Sequence, residues 1–296
     1  MEAKEGYSLR NIYFSSTLLW QDSLEPIFRT AMDFGVDGIE FWAEQADYFH
    51  YAPAAIRCFL QQNGMRAVVH SKSWDLNYAS LNPEICAASL QAVMHSVDFA
   101  NQIGAVEVTI HPPRYTMRTE TDFSLRKTRE SLAFLADYAA KAGVMLSLEI
   151  MEKNPREIVT DENGLRFVLG DLFDRFAYTV DTAHCDCEHE IFALMEALPA
   201  SKMHISNRQG RKLHTSLLEG NYSFVGLLPR LLAYEVPLVI EGTGYQANIL
   251  QDELAFTASI LRQMEEGYAA LYESANCLLN GSMDSFYENG RRLRHG

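Results

Sequence analysis

The sequence of 296 residues contains no uninterrupted apolar run that approaches the roughly 20 residues needed to cross a bilayer. Its start, MEAKEGYSLR, also lacks the apolar core of a signal peptide. Basic residues are scarce, since 25 Lys and Arg stand against 39 Asp and Glu, for a formal net charge of -14. We therefore expect a soluble, cytoplasmic protein with no membrane partner, and this charge disfavours nucleic acid as a partner.

Cysteines are few, and their number is odd. The sequence has five, scattered along the chain, which is unlike the paired spacing of a secreted disulfide framework. A reducing compartment fits this pattern. Cys185 and Cys187 lie next to His184, but no second cysteine pair accompanies them, so a structural role is favoured over a soft-metal site.

Short apolar runs rich in β-branched and aromatic residues alternate with stretches of helical period from residue 12 to about residue 270. Eight strands are predicted at Ile12 to Ser16, Gly38 to Trp42, Ala67 to His70, Val106 to His111, Met145 to Ile150, Ala177 to Asp181, Lys202 to Ser206 and Pro237 to Glu241. This alternation predicts an α/β fold, a single-domain (β/α)8 TIM barrel. We place the barrel at residues 1–272 and a C-terminal extension at residues 273–296.

The intervening segments predict the outer helices. Apolar residues recur at helical spacing from Ser124 to Ala142, which indicates a helix with one buried face. A further helix from about Asn248 to Tyr272 should complete the outer ring. Glycines that follow helical runs and precede strands are expected to end helices in the left-handed conformation, and they are Gly35, Gly64, Gly104 and Gly143.

Polar side chains recur at or just beyond the ends of the predicted strands. They are His70, His111, Glu149, Asp181, His184, His204, His214 and Glu241. Such side chains are costly to desolvate without partners. If the strands are parallel and closed into a barrel, all of them converge on one mouth, which predicts a divalent-metal site.

Four of these residues form the predicted metal set. Glu149, Asp181, His204 and Glu241 supply mixed nitrogen and oxygen ligands from four consecutive strands. A catalytic ion needs such ligands on rigid elements, with one position left open for water or substrate. The ion is expected to be Zn, Mn, Co or Mg. The alternative interpretation is a structural polar cluster.

Several segments resemble the xylose isomerase-like barrel superfamily, whose members include ketose 3-epimerases, sugar and sugar-phosphate isomerases, inosose dehydratases and apurinic endonucleases of the endonuclease IV type. The resemblance extends from about residue 10 to residue 245. It rests on LNPEICAASLQAVMHSVDFANQIGAVEVTIHPPR with His111, LSLEI with Glu149, VDTAH with Asp181 and His184, MHISN with His204, HTSLLEG beginning at His214, and IEGTG with Glu241.

The epimerase branch implies a divalent-metal-dependent isomerase or epimerase that acts on a sugar or sugar phosphate by proton transfer through an enediolate. The resemblance to this branch implies that Glu149 and Glu241 are metal ligands that also act as acid and base on opposite faces of the substrate. It implies that His184 hydrogen-bonds a substrate oxygen. Arg208 or Arg211 would hold a hydroxyl or phosphate group. Homo-oligomers are common in this family.

The endonuclease branch implies three zinc ions and a phosphodiesterase that acts at abasic sites. Where that family has an aspartate two residues before the histidine that matches His214, this chain has Lys212. An ammonium group should weaken the third metal seat, whereas a second ion held by His70, His111 and Glu149 remains open. We therefore expect one or two ions and favour the sugar branch. A non-catalytic barrel that only binds a ligand is a further alternative.

Other residues near the predicted mouth have two interpretations. Glu40 resembles a carboxylate that points into the mouth of sugar isomerases, where it supports the site or contacts substrate. An apolar wall for a sugar face, or ordinary core, is predicted for Phe14, Trp42, Trp74 and Tyr245. Lys72 is interpreted as a solvated or substrate-facing cation in preference to a Schiff-base lysine. The segment from Gly242 to Gly244 either cradles a phosphate or only forms a turn.

Overall fold

The computed structural model describes residues 9–242 and 247–267. Its strands are β1 Leu9–Ser15, β2 Val36–Trp42, β3 Arg66–His70, β4 Glu107–Ile110, β5 Met145–Ile150, β6 Ala177–Asp181, β7 Ala200–Ile205, β8 Asn207–Gln209, β9 Lys212–Thr215 and β10 Leu238–Ile240. Eight of them close into a parallel barrel in the order β1-β10-β7-β6-β5-β4-β3-β2. The predicted (β/α)8 barrel is confirmed, with strand ends that differ by no more than three residues.

Helices separate the barrel strands. They are α1 Leu24–Phe34, α2 Ala43–Tyr48, α3 Pro53–Asn63, α4 Pro83–Ile103, α5 Thr121–Ala142, α6 Glu162–Leu169, α7 Glu188–Ala197 and α8 Phe224–Leu232. Residues 247–267 are also helical, where a final helix was predicted. The predicted extension at residues 273–296 and the wall residue Tyr245 lie outside the described residues. Every helix within the described ranges is too short or too polar to span a membrane.

The ends of α4 show how the sequence sets these boundaries. The Asn82 side chain accepts a hydrogen bond from the backbone N–H of Glu84 at 2.9 Å, and Pro83 occupies the first turn, where no donor is needed. Gly104 ends the helix with φ of 84°, a left-handed conformation that costs glycine little. All four glycines predicted to end helices have positive φ.

The barrel wall alternates between its two faces with the period of two that strands impose. Outward residues such as Phe14, Ile39 and Ile205 belong to the large apolar core between the strands and the helices. The inward residues Tyr13, Val68 and Val239 form a small apolar cluster that is separate from this core.

Gly38 on β2 makes room for this inner cluster. A Cβ atom at Gly38 would lie 2.3 Å from the Tyr13 ring, so only glycine fits opposite that tyrosine. Lys202, which is 1% exposed, forms an ion pair with Glu107 on β4. These residues fill the N-terminal half of the barrel, and the interior that remains is the C-terminal mouth.

β8 and β9 form an antiparallel hairpin that was not predicted. It follows β7 directly, and Gly210 with φ of 59° lies at its turn. The hairpin therefore stands beside the C-terminal mouth, and it carries Arg208, Arg211, Lys212 and His214.

Candidate metal centre

Four acidic or imidazole side chains meet at the C-terminal end of the barrel. Glu149 lies near the end of β5, Asp181 ends β6, His204 lies on β7, and Glu241 directly follows β10. Asp181 and His204 are register partners on adjacent strands. One candidate ligand atom from each of the four residues lies within 4.8 Å of the others, and all four residues are buried. The structure thus brings together the side chains predicted as a metal set.

Each residue of this set has a buried polar atom that makes no aligned hydrogen bond in the described part of the chain, although two of these atoms, His204 Nδ1 and Glu241 Oε2, lie 2.7 Å apart. The atoms are Glu149 Oε2, Asp181 Oδ2, His204 Nδ1 and Glu241 Oε2. A buried polar atom left unpaired costs about 1–3 kcal/mol, so four at one place argue for a shared partner. Three carboxylate oxygens and one imidazole nitrogen are a donor set that suits Zn²⁺ or Mn²⁺. The residues present therefore fit a divalent cation.

The electrostatics of the set also favour a cation. Burial alone would raise the pKa of Glu241, but His204 outweighs it and lowers this pKa to about 2. Burial would lower the pKa of His204, but the surrounding carboxylates, led by Glu241 and Glu40, raise it well above its ordinary value. Burial raises the pKa of Asp181, and His184 and His214 offset this only in part. Positive charge at this position is stabilised from several sides.

Glu40 orients His204. The Glu40 Oε1 atom lies 3.1 Å from His204 Nε2 and accepts a further hydrogen bond of 3.1 Å from the Thr109 hydroxyl. When His204 Nε2–H donates to Glu40, Nδ1 keeps its lone pair, and that atom lies 2.7 Å from Glu241 Oε2. Glu40 is completely buried and contacts a candidate ligand, which favours the first of its two predicted roles, support of the site, over a substrate contact.

A second group of candidate ligands shares Glu149. His70 Nε2 lies 3.1 Å from His111 Nε2, and these two atoms lie 3.6 and 3.3 Å from Glu149 Oε2. His70 Nδ1 is 2.8 Å from the Ser71 carbonyl oxygen, to which only an N–H can donate. That bond leaves the Nε2 lone pair free to bind a cation. The three side chains predicted to hold a second ion, His70, His111 and Glu149, therefore lie close enough together to share one cation.

A third group shares Asp181 and includes His184 and His214. His184 Nδ1 lies 2.9 Å from the Ile150 carbonyl oxygen, so its Nε2 is the atom that remains for a ligand. His214 Nδ1 lies 3.8 Å from Asp181 Oδ2, and His214 adopts a left-handed backbone with φ of 52°. These three side chains converge without Lys212, which is exposed. Among the described residues, three groups of side chains thus have the geometry to hold a cation.

The two arginines predicted to bind substrate lie on the hairpin. Arg208 donates to the Cys185 carbonyl oxygen at 2.5 Å and to Asp186 at 2.9 Å, so its guanidinium already anchors the loop after β6. Arg211 is exposed near the hairpin turn. Neither arginine is brought into contact with the four-residue set by the interactions described.

Among the residues interpreted as an apolar wall or as ordinary core, Phe14 takes the core position. Phe14 is fully buried in the core outside the barrel, because alternation along β1 turns Tyr13 inward and Phe14 outward. Trp42 lies at the mouth, where its ring stacks on His70 with 4.0 Å between centroids. Trp74 is 52% exposed and lies 5.6 Å from Trp42.

Other polar candidates take structural positions. Lys72 forms an ion pair with Asp47 on α2. Cys185 is buried and Cys187 is exposed, and the Cys185 thiol lies 3.5 Å from the Asp181 carbonyl oxygen. Burial raises the pKa of Cys185. A thiol of this kind is inert.

Sequence reasoning missed the groups that orient the histidines. Thr109 donates a hydrogen bond to Glu40, which in turn orients His204. The carbonyl oxygens of Ser71 and Ile150 fix the rings of His70 and His184, respectively. Thr109 carries a signal, because it precedes His111 by two residues on one strand and therefore faces the same side. Backbone carbonyl groups carry no sequence signal.

The comparisons with known proteins agree with the barrel fold. A family model described as xylose isomerase-like TIM barrel matches residues 28–261. The chain is 24% identical over 233 residues to the uncharacterized protein MJ1188 of Methanocaldococcus jannaschii, which covers 76% of this chain and 85% of that protein. It is 24% identical over 132 residues to a probable endonuclease 4 of Thermoplasma acidophilum, which covers 44% and 40%.

A solved structure has the same fold. The crystal structure of a D-tagatose 3-epimerase-like protein superposes with a TM-score of 0.72 and 19% identity, and covers 86% of this chain and 97% of that one. The family match spans well over half of the residues. The chain belongs to the xylose isomerase-like TIM barrel family.

Proposed function

We propose that the protein is a divalent-metal-dependent isomerase or epimerase that acts on a small sugar or sugar phosphate. The observation that carries this proposal is the pair of unpartnered carboxylate oxygens that Glu149 and Glu241 present to one buried cation seat. In the barrel order, β6 and β7 separate the strands of these two residues, so the carboxylates approach from two sides. Similarity to a D-tagatose 3-epimerase-like structure supports this assignment.

The proposed reaction moves a proton at the carbon beside a carbonyl group. A divalent ion held by Glu149, Asp181, His204 and Glu241 would stabilise the negative charge that develops on the substrate oxygens. One carboxylate removes the proton from one face, and the other returns a proton on the opposite face. His184 donates Nδ1–H to the Ile150 carbonyl, which leaves its Nε2 to form a hydrogen bond with a substrate oxygen.

Solvent exchange tests this proposal. The metal-loaded protein is incubated in heavy water with candidate ketoses and ketose phosphates, and deuterium at the carbon next to the carbonyl is followed by NMR. We expect uptake with at least one sugar and its loss in Glu149→Gln. Glu130→Gln, which removes one negative charge from the surface of α5, should keep the wild-type rate. Absence of uptake in every sugar contradicts the proposal.

A second candidate function is metal-dependent hydrolysis of a phosphate ester. Two further groups of candidate ligands favour this function, one with His70 and His111 and the other with His184 and His214. Neighbouring metal ions can stabilise both the attacking and the leaving oxygen when a phosphate ester is displaced. The similarity to a probable endonuclease 4 supports it over part of the chain. The net charge of -14 disfavours a DNA substrate.

Metal content separates these candidates. One ion per chain favours the isomerase, and three ions favour hydrolysis. Salt-sensitive binding to duplex DNA together with strand cleavage at an abasic site would establish the endonuclease alternative. A chain that takes up no ion at all would favour a non-catalytic binding protein.

A further inference from the structure

A continuous series of aromatic rings leads from the metal centre to the protein surface. Trp42 stacks on His70 at 4.0 Å, and Trp74 lies 5.6 Å from Trp42. Trp20 lies 4.8 Å from Trp74 and 6.3 Å from Tyr48. These rings come from the segments that follow β1, β2 and β3, which are adjacent in the barrel. One side of the mouth is therefore aromatic.

The outer rings, Trp20, Tyr48 and Trp74, form a surface that we call the aromatic platform. Trp74 is 52% exposed and Tyr48 is 72% exposed, although both rings are within reach of other aromatic side chains. The chain has three tryptophans in all, and every one of them belongs to this ring series. Exposed aromatic rings gathered at a mouth are typical of a ligand surface.

Polar groups without partners border the rings. The Trp42 indole Nε1 is buried and has no hydrogen-bond partner within residues 9–242 and 247–267. The whole Trp42 residue is only 5% exposed. Glu44 Oε2 and the Ser73 hydroxyl are buried without a partner in the same ranges. Glu44 also anchors the loop, because its Oε1 accepts from the Trp74 backbone N–H at 3.0 Å. One donor, one acceptor and one hydroxyl thus lie beside an aromatic face.

We propose that the aromatic platform binds a second sugar ring, so that the substrate is a disaccharide or other glycoside whose carbonyl-bearing unit sits at the metal centre. The inference rests on the proposed function. A sugar ring has one face of C–H groups, which packs on an indole, and a rim of hydroxyl groups, which donate and accept hydrogen bonds. Trp42 touches the ligand His70 and serves the first ring, whereas Trp74 and Trp20 lie one ring farther out.

The charges around the platform favour a neutral ring over a phosphate or a nucleotide. Asp75 directly follows Trp74 and is exposed, and Asp47 directly precedes Tyr48. Lys72, the cation nearest in sequence, is already paired with Asp47. Carboxylates repel phosphate groups and accept hydrogen bonds from hydroxyl groups. The surface therefore suits a polyol without charge.

Intrinsic fluorescence tests the proposal directly, because all tryptophan emission comes from this ring series. Metal-loaded protein is titrated with glucose, galactose and fructose and with maltose, cellobiose, lactose, sucrose and phenyl glucoside. We expect at least one two-ring compound to change the emission saturably and to bind about tenfold tighter than its component monosaccharide. Trp74→Ala should abolish that preference while monosaccharide affinity stays within twofold. Isothermal titration calorimetry repeats the comparison for variants that lose fluorescence.

Phe167→Ala is the matched control, because Phe167 is a 74% exposed aromatic residue on α6, and it should leave the preference intact. The proposal is overturned if no two-ring compound binds more tightly than its monosaccharide, or if Trp74→Ala keeps the preference. Emission changes caused only by an oligonucleotide, or a dimer that Trp74→Ala dissociates, also overturn it. A tightly bound two-ring ligand with a reducing ring, such as maltose, cellobiose or lactose, that shows no deuterium exchange would refute the proposed function alone. Rapid exchange of free monosaccharides without any preference would refute this inference alone.

Discussion

Replacement of Glu40 by glutamine should weaken divalent-cation binding by about tenfold, although Glu40 is not itself one of the candidate ligands. Its carboxylate is completely buried and accepts hydrogen bonds from His204 Nε2 and from the Thr109 hydroxyl, both at 3.1 Å. The bond from His204 holds the Nδ1 lone pair toward Glu241 and Glu149. Glutamine preserves the size of the side chain and removes its charge.

The magnitude follows from the kind of hydrogen bond that is lost. A hydrogen bond to a charged group is worth about 1.5–3 kcal/mol, whereas a neutral bond is worth about 0.5–1.5 kcal/mol. The difference of about 1–1.5 kcal/mol corresponds to about a tenfold change in affinity. The glutamine amide can also turn its NH₂ toward Nε2, which would leave the Nδ1 atom protonated and increase the loss toward a hundredfold.

The affinity is measured by titration of Zn²⁺ or Mn²⁺ against a competing chelator, with circular dichroism to verify that the variant is folded. Glu253→Gln is the matched control, since Glu253 is a buried glutamate on the helix of residues 247–267 and should leave the affinity unchanged. Wild-type affinity in Glu40→Gln would refute the assigned role of Glu40.

Three further predictions concern stability. Removal of metal by a chelator should lower Tm by about 10 °C, because a free ion at a thousand times its Kd stabilises the folded state by about 4 kcal/mol; a calorimetric scan that is unchanged by the chelator contradicts the account. Burial raises the pKa of Glu253 from 4.5 to about 7, so its contribution to stability is fully present below pH 4.5 and is lost as pH rises through 7. Between pH 5 and pH 8 the wild-type free energy of unfolding should therefore fall by up to about 3 kcal/mol more than that of Glu253→Gln in urea titrations, and parallel curves would argue against this. Lys202→Met should cost about 3 kcal/mol by leaving Glu107 without its partner, and Lys202→Met/Glu107→Gln should recover more than half of that loss; equal stability of the two variants would contradict the ion pair's role.

Local patterns were sufficient to predict the architecture. Alternation of apolar runs with helical segments predicted eight barrel strands, and the spacing of Glu149, Asp181, His204 and Glu241 at strand ends predicted that they would meet. This succeeds because parallel strands of a barrel all end at one mouth. The order of the chain therefore determines which side chains become neighbours.

The remaining features depend on contacts that are distant in sequence. Glu40 and His204 are 164 residues apart, so their hydrogen bond follows only from barrel closure. The hairpin brings His214 to Asp181 through a left-handed backbone at a non-glycine residue, which linear spacing does not indicate. The sequence left Phe14 open between the wall and the core, because the inward register of β1 depends on Gly38 opposite Tyr13.

Anomalous scattering from crystals grown with Zn²⁺ tests the metal centre most directly. The account predicts a peak within about 2.0–2.2 Å of ligand atoms of Glu149, Asp181, His204 and Glu241, the coordination distance of nitrogen and oxygen ligands. A zinc-loaded crystal that shows no peak among these four side chains, or a peak held only by other residues, would contradict it.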